Sequence, residues 1–304
     1  MKGLIFYILV IGITNTVRSQ DTTSIIDEGF LNSVVHIKIP QENVIGTGFL
    51  VSCNTPDKKY IITYLVTNKH MIGEYSLVEP FFGYDSIIVD LYSRVDNTPI
   101  PVTIKLLDHG QRKATVLLHP DSRIDVALIN ISDVFINKEL MNYSIDTSFL
   151  LRLSGLSDLN VGFGSQVFAI GYPANLMIAG TNQPIGKSGY IASSVTGKLS
   201  MELNMQNKFK KNIPTRVVGD FFLIDGLIIH GNSGGPIVIP QGFRSRIRNN
   251  KIEHTSGSIP NLIVGIESMI IDGTGIAIAY SADNILDIIE QDIKKHPEFV
   301  PKNN

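Results

Sequence analysis

The chain carries His230-Gly231-Asn232-Ser233-Gly234-Gly235-Pro236, followed at once by Ile237-Val238-Ile239. Glycines on both sides of a serine let the backbone turn tightly and let another chain come close. They expose the serine hydroxyl and aim neighbouring N–H groups at one point, as an oxyanion hole requires. Pro236 then opens an apolar, β-branched run, which predicts a strand after the serine. A glycine-rich turn around a serine is common on its own; the longer string joined to a strand is far more specific.

Two stretches upstream supply the groups that would activate such a serine. Tyr64-Leu65-Val66-Thr67-Asn68-Lys69-His70 reads as a buried strand ending in polar residues and a histidine placed to reach into a cleft. Asp121-Ser122-Arg123-Ile124-Asp125-Val126-Ala127-Leu128-Ile129 puts an acid directly before another buried strand. An acid there is costly unless paired, so a partner such as an imidazole N–H is expected for Asp125. Asp121 competes for this role but reads as loop-exposed. His36, His109, His119, His254 and His296 lack such a context and read as structural or surface residues.

The remaining pattern is mostly β. Short runs rich in Val, Ile, Phe and Thr, punctuated by Gly, Pro, Asn and Asp, predict strands over 34–39, 48–52, 60–66, 87–92, 103–107, 115–119, 126–131, 166–170, 189–195, 216–223, 236–239, 262–267 and 274–279. So many short strands indicate barrels or sandwiches. One helix is clear. Ser281 is placed to cap it, and Asp283 sits in its first turn. Ile285, Leu286, Ile288, Ile289 and Ile293 share a face, and Pro297 stops it. A weaker segment from Val134 to about Ser154 reads as a connection between two strand-rich regions.

Length and charge narrow the class. The chain has 304 residues, enough for two packed units, and 43% are hydrophobic, enough for a sizeable core. With 26 basic and 28 acidic residues, it has no electrostatic footprint for nucleic acid. Lys208, Lys210 and Lys211 read as a solvated loop. The loop over 198–212, polar and rich in Met, Asn and Lys, reads as a surface loop or a cover for the cleft. Met1-Lys2, then an apolar run to Thr14 and Val17-Arg18-Ser19, predict a signal peptide over 1–19 that is removed on export, leaving no membrane segment. The apolar run is short for a bilayer span, which favours cleavage over an anchor. A secreted or periplasmic protein is expected. Cys53 is the sole cysteine, so no disulfide staples the chain. This fits a bacterial envelope or secreted protein. Cys53 sits at a strand end and reads as a small structural residue.

Gly46-Thr47-Gly48-Phe49-Leu50-Val51, Leu65-Val66-Thr67-Asn68-Lys69-His70, Asp125-Val126-Ala127-Leu128 and Gly231-Asn232-Ser233-Gly234-Gly235-Pro236 resemble the motifs of chymotrypsin-fold peptidases. They are most similar to the bacterial trypsin-like group that includes the high-temperature-requirement proteases. Val264-Gly265-Ile266-Glu267 and Gly275-Ile276-Ala277-Ile278-Ala279 resemble that group's last two strands. The resemblance implies an all-β fold of two packed six-stranded antiparallel barrels with a C-terminal helix. The first barrel would span 20–150 and carry His and Asp. The second would span 151–280 and carry Ser, with the helix and tail over 281–304. It implies a serine endopeptidase with a polypeptide substrate and no cofactor or metal. Ser233 would attack the scissile carbonyl, with His70 as base and Asp125 orienting it. The N–H groups of Gly231 and Ser233 would form the oxyanion hole.

The departures matter as well. Asn232 stands where animal trypsins carry the Asp that binds a new N-terminus, so activation of that type is not expected. Little chain follows the helix, so no PDZ module is expected there. The position six before the nucleophile, Asp in trypsin, is Leu227, which argues against a preference for Lys or Arg. Ile266, Glu267 and Ser268 are expected to form the strand edge that pairs with substrate backbone, and Glu267 and His230 read as either pocket-lining or surface-exposed. Oligomeric state is left open by the sequence. Two rival readings stand beside the peptidase. An esterase of the α/β-hydrolase type needs a helix after the serine, with Asp and then His downstream. A binding module on the same fold would keep the motifs but be silent or partner-activated.

Overall fold

The computed structural model describes residues 26–42, 44–56, 58–76, 79–136, 139–176, 183–206, 212–226, 230–248, 251–254, 257–271 and 273–296. The expected signal peptide, the Lys208, Lys210 and Lys211 cluster, Leu227 and Pro297 lie outside these residues.

The first half is one curled sheet. It contains β1 (Val34–Ile39), β2 (Val44–Asn54), β3 (Ile61–Thr67), β4 (Ser86–Ser93), β5 (Pro99–Lys105), β6 (Val116–Leu118), β7 (Ala127–Asn130), β8 (Leu140–Met141) and β9 (Ile145–Asp146). The strand order is β6-β7-β3-β2-β1-β4-β8, with β5 added on β4 and β9 on β2. The ends β6 and β8 do not pair, so this unit is a half-barrel of nine strands rather than the closed six-stranded barrel expected. The second half closes as expected. β10 (Gln166–Gly171), β11 (Ile185–Ile191), β12 (Phe221–Asp225), β13 (Pro236–Ile239), β14 (Leu262–Ile271) and β15 (Ile276–Ser281) form a barrel in the order β10-β11-β12-β15-β14-β13.

Three apolar clusters explain the nearly continuous hydrophobic runs. Alternate residues of a strand point to opposite faces. In β2 and β3, Leu50 and Leu65 fill the inside of the curled sheet, while Phe49, Val51, Tyr64 and Val66 face outward. That outer face packs against Ile170, Val238, Ile263, Ile266 and Ile278 of the barrel. On the barrel's inner side lie Ile237, Val264, Ala277 and Ala279. Strands buried on both faces need no polar alternation, and the seam between the halves becomes a core of its own.

The C-terminal helix, Ala282–Lys295, completes that seam with Ile285, Ile288 and Ile289. It begins after Ser281, whose side chain makes no capping bond to the helix. Asn284 Nδ2 donates to the carbonyls of Asp220 (2.8 Å) and Ser281 (3.2 Å) and ties the helix start to the barrel. Arg152 reaches Asp287 (2.9 Å) and Glu290 (2.6 Å) and fastens the stretch between the halves to the helix. That stretch is a chain of short turns and bridges ending in the helix Leu153–Leu156. The run expected as one strand over 216–223 is two, Asn212–Gly219 and β12, because the first belongs to a hairpin with Leu199–Gln206 that leaves the barrel.

Candidate active site

His70 stands in the 3-10 turn Lys69–Met71 that ends β3. Asp125 lies two residues before β7, which pairs with β3 through Ala127 and Thr67. Neighbouring strands thus deliver both residues to one end of the sheet. Asn68 Nδ2 donates to the Asp125 carbonyl (2.7 Å), and Lys69 Nζ donates to the Asp121 carbonyl (3.0 Å), so the turn and the loop before β7 are bound together.

Asp125 is buried and holds His70 at two points. The His70 backbone N–H donates to Oδ1 (3.1 Å), and Nδ1 lies 2.6 Å from Oδ2. Nδ1 carries its proton toward the carboxylate, which leaves Nε2 as the basic nitrogen. Burial disfavours the imidazolium, but the Asp125 carboxylate beside it outweighs this and raises the His70 pKa above its usual value. Asp121, the competing acid, is engaged elsewhere. Arg123 Nη2 donates to it at 2.7 Å, and this bonding pulls its carboxyl down to about 2.

Ser233 arrives from the barrel on the turn before β13. The turn needs its glycines. Gly231 (φ +103) and Gly234 (φ +88) have backbone that disfavours any side chain, and a Cβ would strike the Tyr172 and Thr47 carbonyls, respectively. Gly234 N–H donates to the Glu267 carbonyl and Glu267 N–H to the Gly235 carbonyl, each at 2.9 Å, which seats the turn on β14. Thr47 of β2 reaches across from the other half. Its N–H donates to the Ser233 carbonyl (3.0 Å), and its Oγ1 donates to the Gly231 carbonyl (2.6 Å) and accepts from Tyr172 N–H (3.1 Å).

The peptide between His230 and Gly231 decides whether an oxyanion can be held. The His230 carbonyl accepts from Ala174 N–H at 2.7 Å. In a trans peptide the N–H points opposite to the carbonyl, so Gly231 N–H is turned away from Ala174. Neither Gly231 N–H nor Ser233 N–H is bonded to another group among the described residues. Both donors are available to a ligand oxygen. The Ser233 hydroxyl itself donates to the Ser268 carbonyl at 3.2 Å.

The expected substrate contacts divide. His230 is exposed at the turn. Ile266 is fully buried in the seam, as is its register partner Tyr280, and its backbone pairs with Pro236 of β13. Ser268 Oγ donates to Asp125 Oδ2 at 2.7 Å. Glu267 is buried rather than surface-exposed, and Leu227 is outside the described residues. Cys53 is buried, and burial first, then nearby Asp146 and Asp292, raise its thiol pKa to about 11, which disfavours the thiolate and fits a structural residue. Thr47 and Ala174 were missed as supports of the serine turn. Thr47 had a signal, since it lies in the Gly-Thr-Gly run of β2; Ala174 had none.

The chain belongs to the trypsin-like peptidase domain family, whose profile matches residues 46–243. No curated protein matches the sequence. Among solved structures, it is similar to the active form of the Rv3671c protease from M. tuberculosis, with 18% identity, a TM-score of 0.46 and coverage of 86% of this chain and 82% of that one. It is similar to Deg5 at 19% identity and a TM-score of 0.46, covering 86% and 88%. It is also similar to the scabies mite inactivated protease paralogue S-I1 at 12% identity and a TM-score of 0.46, covering 89% and 97%.

Proposed function

We propose that the protein is a serine endopeptidase. Ser233 attacks the peptide carbonyl, His70 Nε2 takes the hydroxyl proton and returns it to the leaving amine, and Asp125 holds the imidazole. The tetrahedral oxyanion is held by the N–H groups of Gly231 and Ser233. The observation that carries this reading is the orientation of the His230–Gly231 peptide, whose carbonyl is engaged by Ala174 N–H so that its N–H is free for the oxyanion. The esterase reading fails at the turn, because β13 rather than a helix follows Ser233.

A fluorophosphonate probe tests the proposal. Labelling of the mature protein at Ser233, lost in Ser233→Ala, is expected. Absence of labelling, or equal labelling of the variant, sinks it. A second reading, a peptidase that acts only once a partner binds, draws on the Ser233 hydroxyl donating to Ser268 rather than to His70. It predicts labelling only when the partner is added. We also propose export of the chain with removal of 1–19; N-terminal sequencing of the secreted protein should then begin at Gln20.

A further inference from the structure

Glu267 is 1% exposed, and neither of its carboxyl oxygens has a hydrogen-bond partner. A buried carboxyl left without a donor is costly. Its place in the fold is specific. On β15 it pairs with Ala279, which lies inside the closed barrel, whereas its neighbour Ile266 pairs with Tyr280 of the seam. The Glu267 side chain therefore enters the barrel at the end where its own backbone supports the Ser233 turn. The charged groups that act on it are His70 and Asp125, and these are already committed to each other.

β14 also has an open edge there. Its pairing with β13 ends at Ile266 and Pro236, while its pairing with β15 runs on to Ile271. Glu267 still bonds Gly234 and Gly235 through its backbone, so the open edge of β14 begins at Ser268, whose carbonyl accepts from Ser233 Oγ. An extended polypeptide can add to such an edge as a further strand. Its alternate side chains then point toward the barrel, where Glu267 lies.

We propose that Glu267 sets the specificity of the cleft by accepting hydrogen bonds from a cationic side chain, lysine or arginine, on the polypeptide residue whose carbonyl Ser233 attacks. Two unpartnered oxygens match the paired donors of a guanidinium or the three of an ammonium group. Burial, reinforced by Asp125 and opposed by His70, raises the Glu267 carboxyl to about 8, and a cation brought by the substrate offsets that cost. This specificity runs against the expectation from Leu227, the position six before the nucleophile that is Asp in trypsin.

The inference rests on the peptidase reading for its substrate, so its test is separable from catalysis. Binding of p-aminobenzamidine, an amidinium probe, and of the uncharged p-aminobenzamide is titrated against the Ser233→Ala protein. The amidinium is expected to bind at least about tenfold more tightly, and Glu267→Gln and Glu267→Leu to remove most of that preference in proteins with unchanged circular dichroism. On the Ser233-bearing enzyme, the ratio of cleavage after Lys or Arg to cleavage after Leu should fall about tenfold in Glu267→Gln. Equal binding of the two probes, or a preference that survives both substitutions, overturns the inference. Fluorophosphonate labelling of Ser233 reports on the peptidase reading independently.

Discussion

Ser268 donates its hydroxyl to Asp125 Oδ2 at 2.7 Å, the same oxygen that meets His70 Nδ1 at 2.6 Å. The barrel thereby takes part in orienting an imidazole that belongs to the sheet. Ser268→Ala removes one charge-assisted bond from a buried carboxylate, a loss of about 1.5–3 kcal/mol. We expect kcat/KM on a peptide substrate to fall about tenfold to a hundredfold, with Ser268→Thr retaining more than Ser268→Ala. Unchanged kinetics in Ser268→Ala would remove the bond from the mechanism.

His70 has a raised pKa because the Asp125 carboxylate outweighs the effect of burial. The base must be neutral to accept the serine proton, so kcat/KM should rise with pH through an apparent pKa above the ordinary 6.5. In Asp125→Asn burial is opposed only by Glu267, the smallest of the raising influences, so the limb should move to lower pH while kcat drops about four orders of magnitude. The linkage to stability has the opposite direction. A raised folded-state pKa stabilises the fold fully below the unfolded value, and this contribution is lost as pH rises through the folded value. Melts of Asp125→Asn should therefore lose more relative to wild type at pH 5 than at pH 8. A pH–rate profile and paired melts check both signs.

Tyr64 of β3 donates its hydroxyl to Asp292 Oδ2 of the C-terminal helix at 2.9 Å, with both residues buried. Burial, and then the Asp292 charge, pushes the phenol far above its usual range. Tyr64→Phe leaves a buried carboxylate without this donor, at a cost of about 1–3 kcal/mol. A fall of several degrees in Tm is expected. In Tyr64→Phe/Asp292→Asn the penalty should be smaller than the sum of the two single changes.

Thr47 is buried and bonds the serine turn through the Gly231 and Ser233 carbonyls. Thr47→Ala removes the hydroxyl that fixes the Gly231 carbonyl. We expect kcat to fall about tenfold with KM little changed, and Thr47→Ser to restore most of the rate. A loss confined to KM would place Thr47 outside the positioning of the turn.

The sequence made some levels of this structure legible and hid others. The placement of Ser233, His70 and Asp125 next to strand ends could be read because each sits in a local pattern tied to backbone geometry. The helix over Ala282–Lys295 could be read from its apolar face. The open first sheet could not be read, since closure depends on whether β6 meets β8, and nothing local records that. The same holds for Ile266 and Ser268, two residues apart on one strand, whose surroundings follow from the register of β14 and the shifts along it. A shift of one residue exchanges the two faces of a strand. The burial of Glu267 likewise follows from its pairing with Ala279, a long-range fact.

The bond from Thr47 to Gly231 joins residues 184 apart in the chain. Contacts of such separation form after the local ones, because the loop they close must first lose its freedom. A half-made chain has its serine on an unsupported turn. For the peptidase proposed above, reactivity at Ser233 would then come only with finished folding, set by the order in which the chain assembles.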